Sequence, residues 1–145
     1  MSDTATTDHN DNVCALLIED LNGDAKAITQ ALTYSKIAHG IHMLRATRLM
    51  EGIEILRDNA HSVDIVLLDL SLPDAKGVKA VVELRRLFPK TPVIVLSDQS
   101  DERVIQSALE HGADKFLVKG ECSGIVIKQH IFQAIAERAA ISEMA

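Results

Sequence analysis

Five polar or charged residues follow apolar runs of the sequence, at positions where they could act together on one ligand. They are Glu19, Asp20, Asp69, Ser97 and Lys119. Runs of this length, rich in Val, Ile and Leu and separated by helical patterns, are typical of parallel strands buried on both faces. Ligand sites in such sheets form at the carboxyl ends of the strands. The sequence therefore predicts one crevice in which three carboxylates, a hydroxyl and an amine converge.

Carboxylates crowded into one crevice favour a bound cation. Two of them about 4 Å apart repel by roughly 4 kcal/mol at an effective dielectric constant of about 20. A hard divalent cation removes this repulsion, because it prefers oxygen ligands. The amine of Lys119 can in turn bind an anion as a point charge. The predicted crevice thus combines ligands for a cation with a positive charge for an anion.

Five strands are predicted to carry these residues to one edge of a sheet. They cover Val13–Ile18, Ile41–Ala46, Ile65–Leu68, residues 93–96 and Lys115–Val118. Gly40 precedes the second strand and Pro92 precedes the fourth, as expected for residues that end the segment before a strand.

Five helices are predicted from apolar residues at helical spacing. Their inward-facing residues are, in chain order, Ile28, Ala31 and Leu32; Leu49, Ile53 and Leu56; Val81, Leu84 and Leu87; Val104, Ala108 and Leu109; and Ile127, Ile131, Ile135 and Ala139. An Asn or Asp at 22–24 is expected to cap the first helix, and Thr47 the second. The third helix ends before Pro89, the fourth covers residues 101–111 and ends at Gly112, and the last covers about residues 123–141.

These alternating elements form five βα units without an internal repeat or linker. The pattern predicts an α/β fold with an open, doubly wound parallel sheet. We expect one domain at residues 13–140, preceded by a disordered tail at 1–12. Residues 141–145 are expected to be a C-terminal tail or the start of a linker to an output domain outside this chain.

Composition and charge argue against several classes of function. With 145 residues, 47% of them hydrophobic, the chain can form one domain with a full core. The net charge of −6 argues against binding to nucleic acid, and no apolar stretch reaches the roughly 20 residues of a membrane span. Cys14 and Cys122 fit neither a disulfide framework nor a zinc motif. We expect both to be buried, in a protein of the cytoplasm.

Four motifs, in this order, resemble the receiver domain of bacterial response regulators. They are LLIED at residues 16–20, VLLDLSLPDAKG at 66–77, VIVLS at 93–97 and HGADKFLVKG at 111–120. The resemblance covers nearly all of residues 13–138. It implies a (βα)5 flavodoxin-like fold with strand order 2-1-3-4-5.

The resemblance also implies roles for the five polar residues. Asp69 would accept a phosphoryl group from a phosphohistidine on a sensor histidine kinase or a phosphotransfer protein. Lys119 and Ser97 would contact phosphoryl oxygens. Mg²⁺ would be held by Glu19, Asp20, Asp69 and the backbone carbonyl of Ser71. Such a protein is not an enzyme in the usual sense, because it catalyses only its own phosphorylation and dephosphorylation.

Phe116 is implied to be the switch residue, turning inward when the Ser97 hydroxyl moves toward the phosphoryl group. The surface formed by the fourth helix, the fifth strand and the fifth helix would then pass the signal to an output protein or domain, or to a second copy of the chain in a homodimer. A role for Phe116 in the core alone is the alternative that the sequence leaves open.

Two residues depart from the family pattern. Asp98 stands where a small residue usually follows the hydroxyl of the fourth strand, and its charge is expected to oppose anionic donors. Gly120 stands where receivers commonly carry a proline joined by a cis bond. Without proline a cis bond costs about 2.5 to 4 kcal/mol, which disfavours it here.

Three alternatives to a receiver that acts alone remain at this stage. The chain could be part of a longer regulator with an enzymatic output domain, such as a diguanylate cyclase. It could be a small Mg²⁺-dependent phosphatase with an aspartyl-phosphate intermediate, although in those enzymes the nucleophile follows the first strand. It could also be a degenerate receiver that serves only as a docking surface.

Overall fold

The computed structural model describes residues 13–33, 40–58 and 62–144, and its main feature is a five-stranded parallel sheet. The strands are β1 (Val13–Ile18), β2 (Ile41–Ala46), β3 (Ile65–Leu68), β4 (Val93–Ser97) and β5 (Lys115–Val118). Their order across the sheet is β2-β1-β3-β4-β5, and every neighbouring pair is parallel. This order confirms the one that the family resemblance implies.

Helices cover both faces of the sheet, so the fold is doubly wound and flavodoxin-like, as predicted. They are α1 (Asn22–Thr33), α2 (Leu49–Asp58), α3 (Lys79–Leu87), α4 (Glu102–Glu110) and α5 (Gly124–Met144). One apolar cluster joins α2, α3 and α4 to one face of the sheet, and a second joins α1 and α5 to the other. Leu16 belongs to the first cluster and Leu17 to the second, because successive side chains of a strand point to opposite faces.

Two residues predicted to face the core are exposed instead. Leu109 in α4 is 40% exposed, because α4 buries only Ala108 completely and therefore contacts the sheet over a narrower face than its apolar spacing predicts. Ala139 lies in the exposed segment 139–143 of α5, where the apolar spacing continues beyond the packed part of the helix. Leu87 and Ile135 are partly buried.

The loop after β3 contains a small hairpin that the sequence did not predict. Its strands are Ser71–Leu72 and Ala75–Lys76, and they pair in antiparallel fashion. Gly77 follows with a φ of 70°, which favours glycine, and its N–H donates to the carbonyl of Leu70 at 2.7 Å. This bond closes the loop beside the end of β3.

The first turn of α2 is capped by a residue from that hairpin. The carboxylate of Asp74 accepts the backbone N–H groups of Leu49 and Met50 at 2.9 and 3.0 Å. The prediction that Thr47 caps this helix was wrong. The hydroxyl of Thr47 instead donates to Glu51 Oε1 at 3.2 Å, while the Thr47 N–H donates to the same oxygen at 2.7 Å.

A close contact between two helices fixes the start of α5. A Cβ atom at Gly124 would overlap the backbone oxygen of Ala31, so only glycine fits against α1 at this point. The contact holds the N-terminus of α5 against α1, next to the segment 119–123 that follows β5.

The remaining expectations concern the cysteines and the chain ends. Cys14 and Cys122 are partly exposed rather than fully buried. The predicted tail at 1–12 lies outside the described residues, and α5 extends to Met144, past its predicted end. No helix in the described ranges is long and apolar enough to cross a membrane.

Candidate functional site

Three carboxylates meet at the carboxyl edge of the sheet. Glu19 and Asp20 follow β1, Asp69 follows the neighbouring strand β3, and one oxygen of each lies within 4.8 Å of the others. Glu19 is completely buried and Asp69 is 3% exposed. The structure thus brings together the acidic residues that the sequence predicted to converge.

Backbone hydrogen bonds hold these carboxylates in register. The N–H of Glu19 donates to Ala46 O at 2.9 Å, and the N–H of Asp69 donates to Ile18 O at 3.0 Å, so both residues continue the strand ladders by one step. Arg45 donates to the Glu19 carbonyl at 2.9 and 3.2 Å. The acidic residues are therefore fixed by the sheet and not by a free loop.

Lys119 lies among the acidic side chains. Its Nζ donates to Glu19 Oε1 at 2.5 Å, to Asp24 Oδ2 at 2.9 Å and to Asp69 Oδ1 at 3.0 Å. Its backbone N–H donates to Ser97 O at 2.8 Å, which ties the end of β5 to the end of β4. The predicted lysine is thus in direct contact with two of the three predicted acidic residues, Glu19 and Asp69.

Asp24 is not among the residues that the sequence predicts for the site. It was expected only to cap the first helix, because an acidic residue in the first turn of a helix is common. A signal was nevertheless present, since Asp24 follows Asp20 closely in the sequence and lies in the first turn of the next helix, beside the predicted crevice. Only the structure brings it within hydrogen-bond distance of Lys119.

Burial and charge shift two pKa values in the site. Burial raises the pKa of the Glu19 carboxyl, and the nearby Asp69 charge raises it further, although the hydrogen bond from Lys119 opposes both effects. Burial alone would lower the pKa of the Lys119 ammonium, but its hydrogen bonds to Glu19, Asp24 and Asp69 raise that pKa above its ordinary value. Lys119 is therefore a permanent positive charge in this site.

The second carboxylate oxygen of Asp69 also accepts a hydrogen bond. Asp69 Oδ2 accepts the backbone N–H of Ser71 at 3.1 Å, which brings the start of the hairpin beside the acidic cluster. The two oxygens of Asp69 thus have different partners, an ammonium on one side and a backbone amide on the other.

Ser97 is the last residue of β4, and Phe116 is the second residue of the neighbouring strand β5. The Ser97 side chain is almost completely buried, and its Oγ accepts the N–H of Gln99 at 3.1 Å. Phe116 pairs with Val95 in the sheet register, is partly buried, and packs against the apolar cluster of α2, α3 and α4.

The two residues that depart from the family pattern also lie near the site. Asp98 is exposed and lines a cavity of about 400 Å³, together with Asp24 and Lys119. Gly120 has a φ of 82°, and no peptide bond among the described residues is cis. The effect of Asp98 on donors stays a prediction.

This fold and this cluster of three carboxylates with a lysine define a class of signalling domain. Residues 15–131 match the response regulator receiver domain family, and the chain belongs to that family. It is a receiver domain of two-component signalling systems.

Relatives and solved structures agree with this assignment. The KDP operon transcriptional regulatory protein KdpE of Escherichia coli (strain K12) is 35% identical over 96 residues, which are 66% of this chain and 41% of that protein. A response regulator receiver domain protein from Clostridium thermocellum superimposes with a TM-score of 0.77 at 25% identity, covering 89% of this chain and 98% of that one. The phosphorylated cyanobacterial phytochrome response regulator RcpA gives a TM-score of 0.65 at 25% identity, covering 91% and 92%.

The chain spans only part of its curated relatives. It covers between 13% and 48% of the lengths of the first of them. What the remaining parts of those proteins do is therefore not carried over to this chain.

Proposed function

We propose that Asp69 accepts a phosphoryl group from a phosphohistidine of a sensor histidine kinase or a phosphotransfer protein. One observation carries this proposal: Asp69 is a nearly buried carboxylate with a lysine ammonium 3.0 Å from one oxygen and two further carboxylates beside it. That arrangement supplies a nucleophile, a positive charge for the phosphoryl group and ligands for a cation.

The donor set of the cluster fits Mg²⁺. Glu19, Asp20 and Asp69 offer three carboxylate oxygens within 4.8 Å of one another, the hard oxygen ligands that this ion prefers. We assign these three residues as its ligands, with the backbone carbonyl of Ser71 as a fourth. When bound, Mg²⁺ would neutralise part of the charge on the transferred phosphoryl group.

In the transfer itself, an oxygen of Asp69 forms a bond to phosphorus while the bond from phosphorus to the imidazole nitrogen of the donor breaks. The imidazole leaves with the electron pair and takes up a proton. The protein contributes mainly position and charge, because the transition state of phosphoryl transfer needs little covalent assistance. Lys119 lies beside Asp69 and would contact one phosphoryl oxygen.

We assign Ser97 as the hydroxyl that contacts a second phosphoryl oxygen. To do so, Ser97 Oγ must turn away from the N–H of Gln99, so the loop after β4 would shift. Phe116, on the neighbouring strand, would move with it. The surface of α4, β5 and α5, the α4-β5-α5 surface, would then present the signal to an output protein or domain, or to a second copy of the chain.

The position of Asp69 argues against the phosphatase alternative. In the aspartyl-phosphate phosphatases the nucleophile follows the first strand, whereas Asp69 follows β3. The presence of the carboxylates and the lysine in direct contact also disfavours a role as a docking module alone. We propose that residues 13–140 form the receiver, and that it catalyses only its own phosphorylation and dephosphorylation.

The test is phosphorylation by a small donor. Purified protein incubated with Mg²⁺ and acetyl phosphate or phosphoramidate should gain one phosphoryl group by intact mass, and Asp69→Asn should gain none. Asp58→Asn, at an exposed aspartate at the end of α2, is the matched control and should be labelled like the wild type. Labelling of Asp69→Asn to the wild-type level would reject Asp69 as the acceptor.

A further inference from the structure

Asp24 accepts a hydrogen bond from Lys119, and none of the roles assigned to the site residues explains this contact. An ammonium has three N–H donors, and Lys119 directs them at three carboxylates, those of Glu19, Asp24 and Asp69. The Lys119 side chain is 10% exposed and its partners Glu19 and Asp69 are buried, whereas the Asp24 side chain is 36% exposed. All three donors are thus committed to fixed partners in this state.

The three partners differ in what else they can bind. Glu19 and Asp69 belong to the carboxylate cluster suited to a cation, whereas Asp24 lies outside that cluster. A cation would compete with Lys119 for the carboxylates of Glu19 and Asp69, and a phosphoryl group on Asp69 would compete with these carboxylates for the ammonium. Neither would take Asp24 from the lysine. The bond at 2.9 Å to Asp24 is the one that can persist while the other two change.

We propose that Asp24 is a positioning residue that fixes the Lys119 ammonium beside Asp69, so that its charge is in place when the phosphoryl group arrives. This inference rests on the proposed function of Asp69. Asp24 approaches from the first turn of α1, and Lys119 follows β5, so the bond also joins two elements that form the wall of the site. Orientation of a charged group before the reaction is a recognised contribution to rate.

The repulsion that the Asp24 charge exerts on an anionic donor has to be separated from its positioning of Lys119. Asp24 adds a negative charge near the site, and that charge alone would slow reaction with anionic donors. Two variants distinguish the effects. Asp24→Asn and Asp24→Ala both remove the charge, but only the asparagine keeps an oxygen that can accept a hydrogen bond from Lys119. Asp98→Ala removes a carboxylate from the same cavity and is the control for charge alone.

The first measurement needs no phosphorylation. In ¹H–¹⁵N spectra of the free protein, the Lys119 ammonium should give a slowly exchanging signal, assigned by its loss in Lys119→Arg. We expect this signal to persist in Asp24→Asn and to broaden beyond detection in Asp24→Ala. A signal that is equally sharp in Asp24→Ala would overturn the proposal.

The second measurement is the rate of phosphorylation by phosphoramidate at saturating Mg²⁺. Asp24→Ala should be slower than the wild type by about 3- to 10-fold, the effect of losing one partly exposed hydrogen bond to a charged group, and Asp24→Asn should lie between them. Asp98→Ala should not be slowed. A rate for Asp24→Ala equal to or above that of the wild type would reject the positioning role. If no donor labels the wild type, the proposed function fails, and the spectra still decide whether Asp24 holds the lysine.

Discussion

Asp74 Oδ1 accepts the backbone N–H of Leu49 at 2.9 Å, which links the hairpin after β3 to the first turn of α2 across 25 residues of sequence. The second oxygen of Asp74 accepts the N–H of Met50. Although desolvation by burial opposes the effect, the hydrogen bonds from Met50 and Leu49 lower the pKa of Asp74 below its ordinary value. The hairpin thus caps α2 through Asp74. Asp69, the proposed phosphoryl acceptor, lies just before the same hairpin in the sequence.

Loss of this cap should reduce stability in a way that depends on pH. We expect Asp74→Ala to lower the free energy of unfolding by about 1 kcal/mol at pH 7, as is typical for loss of an N-terminal cap. A carboxyl whose pKa is lowered in the folded state contributes its stabilisation above its unfolded pKa of about 3.9 and loses it as the pH falls through the lower folded value. Urea unfolding at pH 7 and below pH 4 should therefore give a difference between the two proteins that shrinks in acid. A difference independent of pH would contradict an ionised cap.

The sequence predicts elements that a local pattern determines, such as β3, but not contacts between distant segments, such as those of Asp74. The strand positions follow from local apolar runs such as Ile65–Leu68, and the convergence of Asp69 and Lys119 follows from the rule that sites form at the carboxyl ends of parallel strands. The contacts of Asp74 and Asp24 join segments 25 and 95 residues apart, and no local pattern encodes them. Leu109 has the spacing of a core residue, but how much of a helix face is covered depends on neighbouring elements.

Removal of Mg²⁺ should destabilise the protein if the cation binds the acidic cluster. At a free concentration about 100 times the Kd, a ligand of the folded state stabilises it by about 2.7 kcal/mol. We expect thermal unfolding to shift upward with Mg²⁺ and back after EDTA. Asp20→Ala should abolish most of this shift, because it removes one carboxylate of the cluster. Asp58→Ala, outside the cluster, should keep it. A shift of wild-type size in Asp20→Ala would exclude Asp20 as a ligand.

Arg85 and Arg86 adjoin in sequence but differ in their contacts. The Arg85 guanidinium donates to the carbonyls of Gly112 and Thr91 at 2.8 Å each and pairs with Asp114 at 3.0 Å, and it is largely buried. Arg86 is exposed and pairs only with Glu83 among the described residues. The first arginine thus joins the end of α3 to the segments that precede β4 and β5.

A lysine cannot reproduce the planar fork of Arg85. We therefore expect Arg85→Lys to lower the free energy of unfolding by about 2 kcal/mol, since several hydrogen bonds to a charged group are lost. Arg86→Lys is the matched control and should leave the free energy of unfolding nearly unchanged, because this side chain is exposed. Urea unfolding of both variants measures the difference. Equal effects would mean that the contacts of Arg85 add little to stability.

Asp98 should slow phosphorylation by small anionic donors. Its carboxylate is exposed and lines the same cavity as Lys119, so it opposes the approach of an anion. Asp98→Ala should raise the rate with acetyl phosphate about two- to five-fold at low ionic strength, and the gain should disappear near 1 M salt, where screening acts within about 3 Å. A rate that stays the same or falls at low salt would mean that this charge does not face the donor.

Phosphorylation should alter the structure well beyond Asp69. The phosphoryl group adds up to two negative charges beside Lys119 and offers Ser97 a stronger acceptor than its present contact with Gln99. The loop after β4 should then move toward the phosphoryl group, and the Phe116 side chain should fill the space that the loop vacates. Phosphorylation can shift the equilibrium between the resting and the switched conformation only by the difference in its interaction with the two. We expect this shift to be about 1 to 3 kcal/mol.

Amide hydrogen exchange with and without beryllofluoride measures this change, since the chain has no tryptophan for fluorescence. In the wild type, exchange should change around Asp69, in residues 98–118 and in α5. Ser97→Ala keeps nearly the same side-chain volume but has no hydroxyl, so it should retain the change around Asp69 and lose most of the change in 98–118. If the wild type itself responds only around Asp69, the signal does not reach the α4-β5-α5 surface, and a docking function for the resting protein becomes the better explanation.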